Sequence, residues 1–202
     1  MTHEELMYAS EEDLMFYQMC EKGLYSIGGM NGTGNDEDGI PIPYHCGPHS
    51  VKCLREIVGI IKPKSIFEIG FNCGHSSSMW LNLSNADVFS CDISKKKETL
   101  HGASTLWAEY GDRFTYCDRN DEFFIGYLKE RDFDVCFVDG GHLYEDVIAD
   151  IDLCLELNIP YIAFDDIIED FGPGVMPAIK KYPQLELVKE LGNIALYKNT
   201  TV

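Results

Sequence analysis

Residues 67–76 read FEIGFNCGHS, and this stretch decides the fold. SIFEIG, ending at Gly70, is an apolar run of strand length, and HSSSMWLNL, starting at His75, reads as a helix. Gly70 and Gly74 sit in the turn between them. Glycine there permits positive φ and lets the backbone approach a ligand closely. The helix that follows offers free N–H groups at its N-terminus, suited to a carboxylate or phosphate. A dinucleotide fingerprint needs G-x-G-x-x-G; here the pattern is E-x-G-x-x-x-G, with Asn72 in the place of the middle glycine. No G-K-[ST] follows, so a P-loop is absent as well. Glu68 opens the turn in place of a phosphate nest, which suits a cationic or zwitterionic ligand.

Outward from this turn the pattern alternates. Upstream, VKCLREIVGIIK reads as a helix capped by Ser50 and ended by Pro63, with Val51, Leu54, Ile57, Val58 and Ile61 along one face. Downstream, the strands DVFSCDI, RFTYCD, FDVCFVDG and PYIAFDDI are separated by the helices KKKETLHGASTLWAEYG, EFFIGYLKER and YEDVIADIDLCLEL, and VMPAIKKY forms a last helix. LELVKEL and NIALYKN close the chain as an antiparallel hairpin around Gly192-Asn193. The alternation implies a Rossmann-like, doubly wound, mostly parallel α/β sheet with helices on both faces. Residues 4–22 are loosely helical, and 23–49 are dense in Gly, Asn, Asp and Pro. That stretch reads either as a lid or binding segment or as a connector. The organisation expected is an N-terminal helix and lid-like loop over 1–49 and a core over 50–202, together one globular domain. Trp80 and Trp107 lie on helices and are expected in the core.

In open α/β sheets, ligands bind beyond the carboxyl ends of the strands, at the switch point. Acids occupy those ends here: Asp92, Asp118, Asp139, and the pair Asp165 and Asp166. Asp92 stands 22 residues beyond Gly70, where an acid accepts from ribose hydroxyls, and Asp118 is placed to accept from an adenine amino group. Any one of these acids is explained by capping or turn chemistry. Their recurrence along one sheet edge points to a site.

Composition bounds the partners. There are 34 acidic and 16 basic side chains, a formal net charge of −18. That argues against nucleic acid, whose binding needs Lys and Arg to displace counterions. No apolar run approaches the roughly 18 residues that span a bilayer, and the acidic N-terminus lacks the pattern of a secretory signal. A cytoplasmic protein is expected. No two of the eight cysteines form C-x-x-C, and Cys91, Cys117 and Cys136 read as small buried hydrophobes. His45, Cys46 and His49 cluster before the first core helix but match no zinc spacing, and a lid role suits them better.

From about Val51 to the C-terminus the chain resembles the class I S-adenosylmethionine (SAM)-dependent methyltransferases. The matching features are E-x-G-x-x-x-G at Glu68 to Gly74, the acid at Asp92, the Cys117-Asp118 pair and the reversed terminal hairpin. The resemblance implies a seven-stranded sheet with one antiparallel strand. It places Glu68, Gly70 and Gly74, with Asn72 and Ser76, around the methionine part of SAM. It places Asp92 and Ile93 at the ribose, Asp118 near the adenine, and Asp139 beside the cofactor. FVDGGHLYEDVIADI, residues 137–151, resembles more narrowly the branch of small-molecule O-methyltransferases with the cephalosporin-hydroxylase and macrolide-sugar methyltransferase relatives. That branch implies a divalent metal on Asp139, Asp165 and Asp166, and His142 as the base. The Asp-Asp pair, where catechol-type enzymes carry Asp-Asn, leans toward the sugar and macrolide relatives.

The implied chemistry is coherent. Hard carboxylates suit Mg²⁺, which lowers the pKa of a bound hydroxyl and orients it toward the sulfonium methyl. A histidine is suited to take the proton. Tyr144 either lines the pocket or packs, and the FGPG turn at Phe171 to Gly174 is placed to border the substrate site. The expectation is Mg²⁺-dependent O-methylation of a small-molecule hydroxyl, with a homo-oligomer compatible with it. The competing classes are a hydroxylase or hydrolase on the same fold, and a non-catalytic SAM-binding module.

Overall fold

The structure is a computed structural model and describes residues 33–35, 41–43 and 48–202. The expected N-terminal helix, His45, Cys46 and the side chain of His49 lie outside the described residues. Within 23–49, β1 (Thr33–Asn35) pairs antiparallel with β2 (Pro41–Pro43), so that stretch holds a short hairpin where a continuous loop is expected.

Helix α1 (Pro48–Ile61) starts two residues before Ser50, which is therefore inside the helix and not its cap. Proline suits a first helical position because its φ is already helical and its missing N–H had no partner to lose. The chain then alternates: β3 (Ser65–Ile69), α2 (His75–Leu83), β4 (Asp87–Asp92), α3 (Lys97–Tyr110), β5 (Phe114–Asp118), α4 (Phe124–Lys129), β6 (Val135–Val138), α5 (Tyr144–Glu156), β7 (Tyr161–Phe164) and α6 (Val175–Ile179). The hairpin of β8 (Leu185–Leu191) and β9 (Ile194–Asn199) closes it. The seven-stranded sheet has the order β5-β4-β3-β6-β7-β9-β8. All pairings from β5 to β7 are parallel, and β9 runs antiparallel to β7 and β8.

A parallel sheet covered on both faces needs apolar side chains on both, and the strands supply them by strict alternation. Ile66, Val135 and Phe137 join Leu54, Ile57 and Trp80 in one core. Phe67, Cys136 and Val138 join Val147, Ile151 and Phe164 in the other. Trp80 is fully buried, its ring edge-on to Phe137 at 5.6 Å between centroids. Trp107, expected in the core, is 64% exposed. The buried stripe of α3 runs through Thr99, Gly102, Ala103 and Leu106, and one further residue turns Trp107 off it. Cys91 and Cys136 are fully buried, as their runs imply.

The order of strands reverses between β3 and β6, so the crevice lies over Gly70 and Asp139. These two strand ends nearly touch. Asp139 donates its N–H to the Ile69 carbonyl at 2.8 Å. Gly70 has φ 101°, and a Cβ there would lie 1.9 Å from the Asp139 carbonyl oxygen. Its glycine is therefore required by the protein's own backbone at the switch point.

Candidate active site

A cavity of about 520 Å³ opens over this crevice. The β3–α2 turn contributes Gly70, Phe71, Asn72, His75 and Ser76. The ends of β4 and β5 contribute Asp92, Ile93 and Arg119, and the segment after β6 contributes Asp139 to His142 with Asp146 and Asp150. Four of these residues are aspartates and one is arginine, so the cavity favours a positively charged guest.

The sequence-expected residues divide by position. Gly70, Asn72, Ser76, Asp92, Ile93, Asp139 and His142 come together on the cavity wall. Asn72 has φ 48° and donates its backbone N–H to Asp92 Oδ2 at 2.6 Å, while Asp92 Oδ1 accepts from the Ser94 N–H at 2.7 Å. The turn after β3 is thus fastened to the acid at the end of β4. Gly74 lies behind this wall, where a Cβ would meet the Phe71 ring at 2.6 Å.

Besides Gly74, two expected cofactor residues do not reach the cavity. Glu68 has no exposed surface; its carboxylate accepts from Ser77 and Ser90 hydroxyls behind the turn, and Oε1 has no hydrogen-bond partner among the described residues. Burial pushes its carboxyl up, with the serine hydroxyls pulling back. A direct contact with a ligand ammonium is replaced by support from beneath, because alternation turns Glu68 toward α2. Asp118 faces away as well: Asn120 N–H and Lys95 Nζ, the latter 3.3 Å away, hold it and keep its carboxyl below the usual range.

At the other side, His142 stands between two acids. Its Nδ1 is 3.1 Å from Asp166 Oδ2, and its Nε2 is buried, 3.8 Å from Asp139 Oδ1 and without a hydrogen-bond partner among the described residues. Asp166 adopts φ 53°, and its Oδ1 accepts from Asn193 Nδ2 in the β8–β9 turn. Burial pushes Asp139 well above the usual carboxylate range, and Asp166 and Glu68 push it further. Asp165 behaves alike: burial acts first, then Asp139 and Asp166, with His142 pulling weakly back. Among the described residues, no three His, Cys, Asp or Glu side chains converge as a metal-binding group as they stand.

A family model described as a methyltransferase domain matches residues 67–167, half of the chain, from the middle of β3 to just past β7. The chain belongs to this methyltransferase family. No curated protein matches it. Among solved structures, the O-methyltransferase from Bacillus cereus in complex with SAH is 17% identical, with a TM-score of 0.63 over 92% of this chain and 91% of that one. TomG, an O-methyltransferase of tomaymycin synthesis from Streptomyces achromogenes solved with SAM, is 18% identical, with a TM-score of 0.63 over 99% and 100%. An SAH-bound methyltransferase from Podospora anserina is 16% identical, with a TM-score of 0.58 over 74% and 77%. At such identities the likeness establishes the shared fold.

Several residues of the candidate site carry no sequence signal. Arg119 and Asp150 meet only through the packing of α5 against the end of β5. Asn193 reads as a turn residue, and only the sheet order brings it beside Asp166. Tyr144 packs against the core with Lys181 over its ring at 5.1 Å and does not line the cavity. The FGPG turn does border the site, since Gly174 donates to the His142 carbonyl at 3.0 Å. No described helix is long and apolar enough to cross a membrane.

Proposed function

We propose that this methyltransferase uses SAM to methylate a hydroxyl of a small molecule. The observation that carries the reading is His142, which lines an acidic cavity: one ring nitrogen lies 3.1 Å from Asp166 Oδ2, and the other has no hydrogen-bond partner among the described residues. With Nδ1 facing the Asp166 carboxylate at 3.1 Å, the tautomer that suits the site carries its proton on Nδ1 and its lone pair on Nε2. That is the arrangement of a general base waiting for a proton. The SAM- and SAH-bound structural neighbours support the choice of cofactor.

In this reading the cofactor's carboxylate meets the N–H groups opening α2 at His75 and Ser76. Its ribose hydroxyls donate to Asp92, beside Ile93. The sulfonium lies toward Asp139, where the surrounding acids favour a cation. The acceptor hydroxyl passes its proton to His142 Nε2 as its oxygen bonds to the methyl carbon. The S–CH₃ bond breaks, and the products are a methylated acceptor and S-adenosylhomocysteine (SAH). Asp166 stabilises the imidazolium that forms, and Asn193 holds Asp166.

The donor chemistry of Asp139, Asp165 and Asp166 also fits a hard divalent cation: the ligand atoms are all carboxylate oxygens, and two of the carboxyls are raised by burial and by like charge. We include Mg²⁺ on these three acids in the proposal, although the three side chains are not gathered on one point. When bound, it supplies Lewis acidity to the acceptor oxygen.

The experiment is to incubate the protein with SAM, Mg²⁺ and a library of catechols, sugars and polyketide alcohols and to measure SAH. Turnover with at least one class supports the reading. SAM binding by calorimetry without SAH release across the library would favour a non-catalytic SAM-binding module. Binding of NAD without binding of SAM would reject the assignment of the site.

A further inference from the structure

Arg119 and Asp150 form an ion pair that the proposed methyl transfer does not use. Asp150 comes from α5, between the buried apolar residues Val147, Ile151 and Cys154. It is 1% exposed, and its Oδ1 lies 2.5 Å from Arg119 Nη2. Its Oδ2 sits beneath Gly140, 3.4 Å from where a Cβ would be. A carboxylate at such a place is costly to desolvate, and apolar side chains of similar size usually stabilise as well or better. The pair therefore suits function better than stability. What it does to Arg119 is visible: the guanidinium is drawn away from solvent and fixed against the cavity.

Arg119 follows the last residue of β5 and donates its backbone N–H to the Asp92 carbonyl at 2.9 Å. Its side chain is 26% exposed and lines the cavity. Among the described lining residues it is the only Lys or Arg. The same cavity is lined by Ile93, 67% exposed and apolar, and by Gly140 and Gly141, which carry no side chains. Those residues offer a planar guest an apolar contact, room beside two glycines and a donor side chain. Arginine has only donors, and a purine ring carries acceptor nitrogens. Because Asp150 balances the charge, the cavity gains donors without losing the acidity that suits a sulfonium.

We propose that Arg119, positioned by Asp150, recognises the adenine ring of the cofactor by donating an N–H to one of its ring nitrogens, the task that Asp118 is turned away from. This inference rests on the reading of the cavity as a SAM site. It makes Arg119 a cofactor-specificity residue and Asp150 its positioning residue.

The test is calorimetry with SAH and its 1-deaza, 3-deaza and 7-deaza adenine analogues, each lacking one ring nitrogen. Wild-type protein should bind one of the three at least about tenfold more weakly than SAH, the worth of one hydrogen bond to a charged donor. Arg119→Met should bind SAH about tenfold more weakly than wild type and no longer distinguish that analogue from SAH. Asp150→Asn should lose part of the same discrimination, which a purely structural role would leave intact. Arg119→Met/Asp150→Leu replaces the pair with apolar groups and keeps the comparison available if a single variant unfolds. Equal binding of all analogues by wild type, or unchanged discrimination in the Arg119 variants, overturns the inference while the SAM site stands. Failure of wild type to bind SAH overturns both.

Discussion

The two sides of the cavity treat their carboxylates differently. On the β4–β5 side each acid is answered by the protein. Asp92 accepts two backbone N–H groups, Asp118 is held by Asn120 and Lys95, and Asp150 is paired with Arg119. On the β6–β7 side Asp139 and Asp165 are half-buried near Asp166, which raises both, Asp139 raises Asp165 further, and His142 is the basic group beside them. A side with its charge balanced can hold a neutral nucleoside in a fixed geometry. A side with unbalanced acids is completed by positive charge arriving from outside, which is what a sulfonium, an imidazolium formed in the reaction or a divalent cation supplies. In the proposed reading, binding falls on one side and chemistry on the other.

The largest expected effect breaks the chemical side alone. His142→Ala should lower turnover about 10²-fold or more, the usual worth of a general base, with SAH affinity within twofold of wild type by calorimetry. An equal loss of binding and turnover would mean that His142 shapes the cofactor pocket. Next comes the cation. Mg²⁺ at a hundred times its Kd should stabilise the folded protein by about 2.7 kcal/mol, read as a rise in Tm. Asp165→Asn removes one charge from the acidic arc, so it should blunt that rise and leave SAH binding intact. No response of either stability or activity to Mg²⁺ or a chelator would leave His142 and Asp166 to manage the proton without an ion. The binding side is broken by Asp92→Ala, which should weaken SAH by about 1–3 kcal/mol through unpaired ribose hydroxyls. Asp92 also ties the turn at Asn72, so a fall in Tm is expected with it.

The same division marks what the sequence made legible. All seven strands of the main sheet and their order of appearance follow from local signals: apolar runs of strand length, turn glycines and helical periodicity. The acids at the strand ends were legible because they stand at fixed places relative to those strands. Orientation was not. Glu68 and Asp118 occupy the positions expected of them, yet alternation buries one beneath α2 and local hydrogen bonds turn the other to Asn120 and Lys95. The partners that set the electrostatics are equally silent, because Arg119 and Asp150 are 31 residues apart and Asn193 is 27 residues from Asp166. Trp107 shows the limit for packing: its helix was legible, but one residue's rotation separates core from surface.

The smallest effect sharpens the comparison at its hinge, Glu68, which lies behind the turn that joins the two sides. Its carboxyl is raised from an ordinary 4.5, first by burial and with Asp92 adding to the rise. A group whose folded pKa lies above its unfolded one stabilises fully below the unfolded value. That contribution is lost as pH rises through the folded value, since the folded state then holds a proton that the unfolded state has released. The wild-type Tm should therefore decline as pH is raised above about 4.5, at no more than about 1.4 kcal/mol per pH unit for this one group. Asp139 and Asp165 act in the same direction, so the decline should be shallower, not absent, in Glu68→Gln. The amide keeps the shape and can donate to Ser77 or Ser90 with no charge to desolvate. Thermal unfolding of both proteins from pH 5 to 9 in the presence of a chelator checks it. Parallel curves would show that Glu68 is ionised throughout, with its two serines sufficient to solvate the charge.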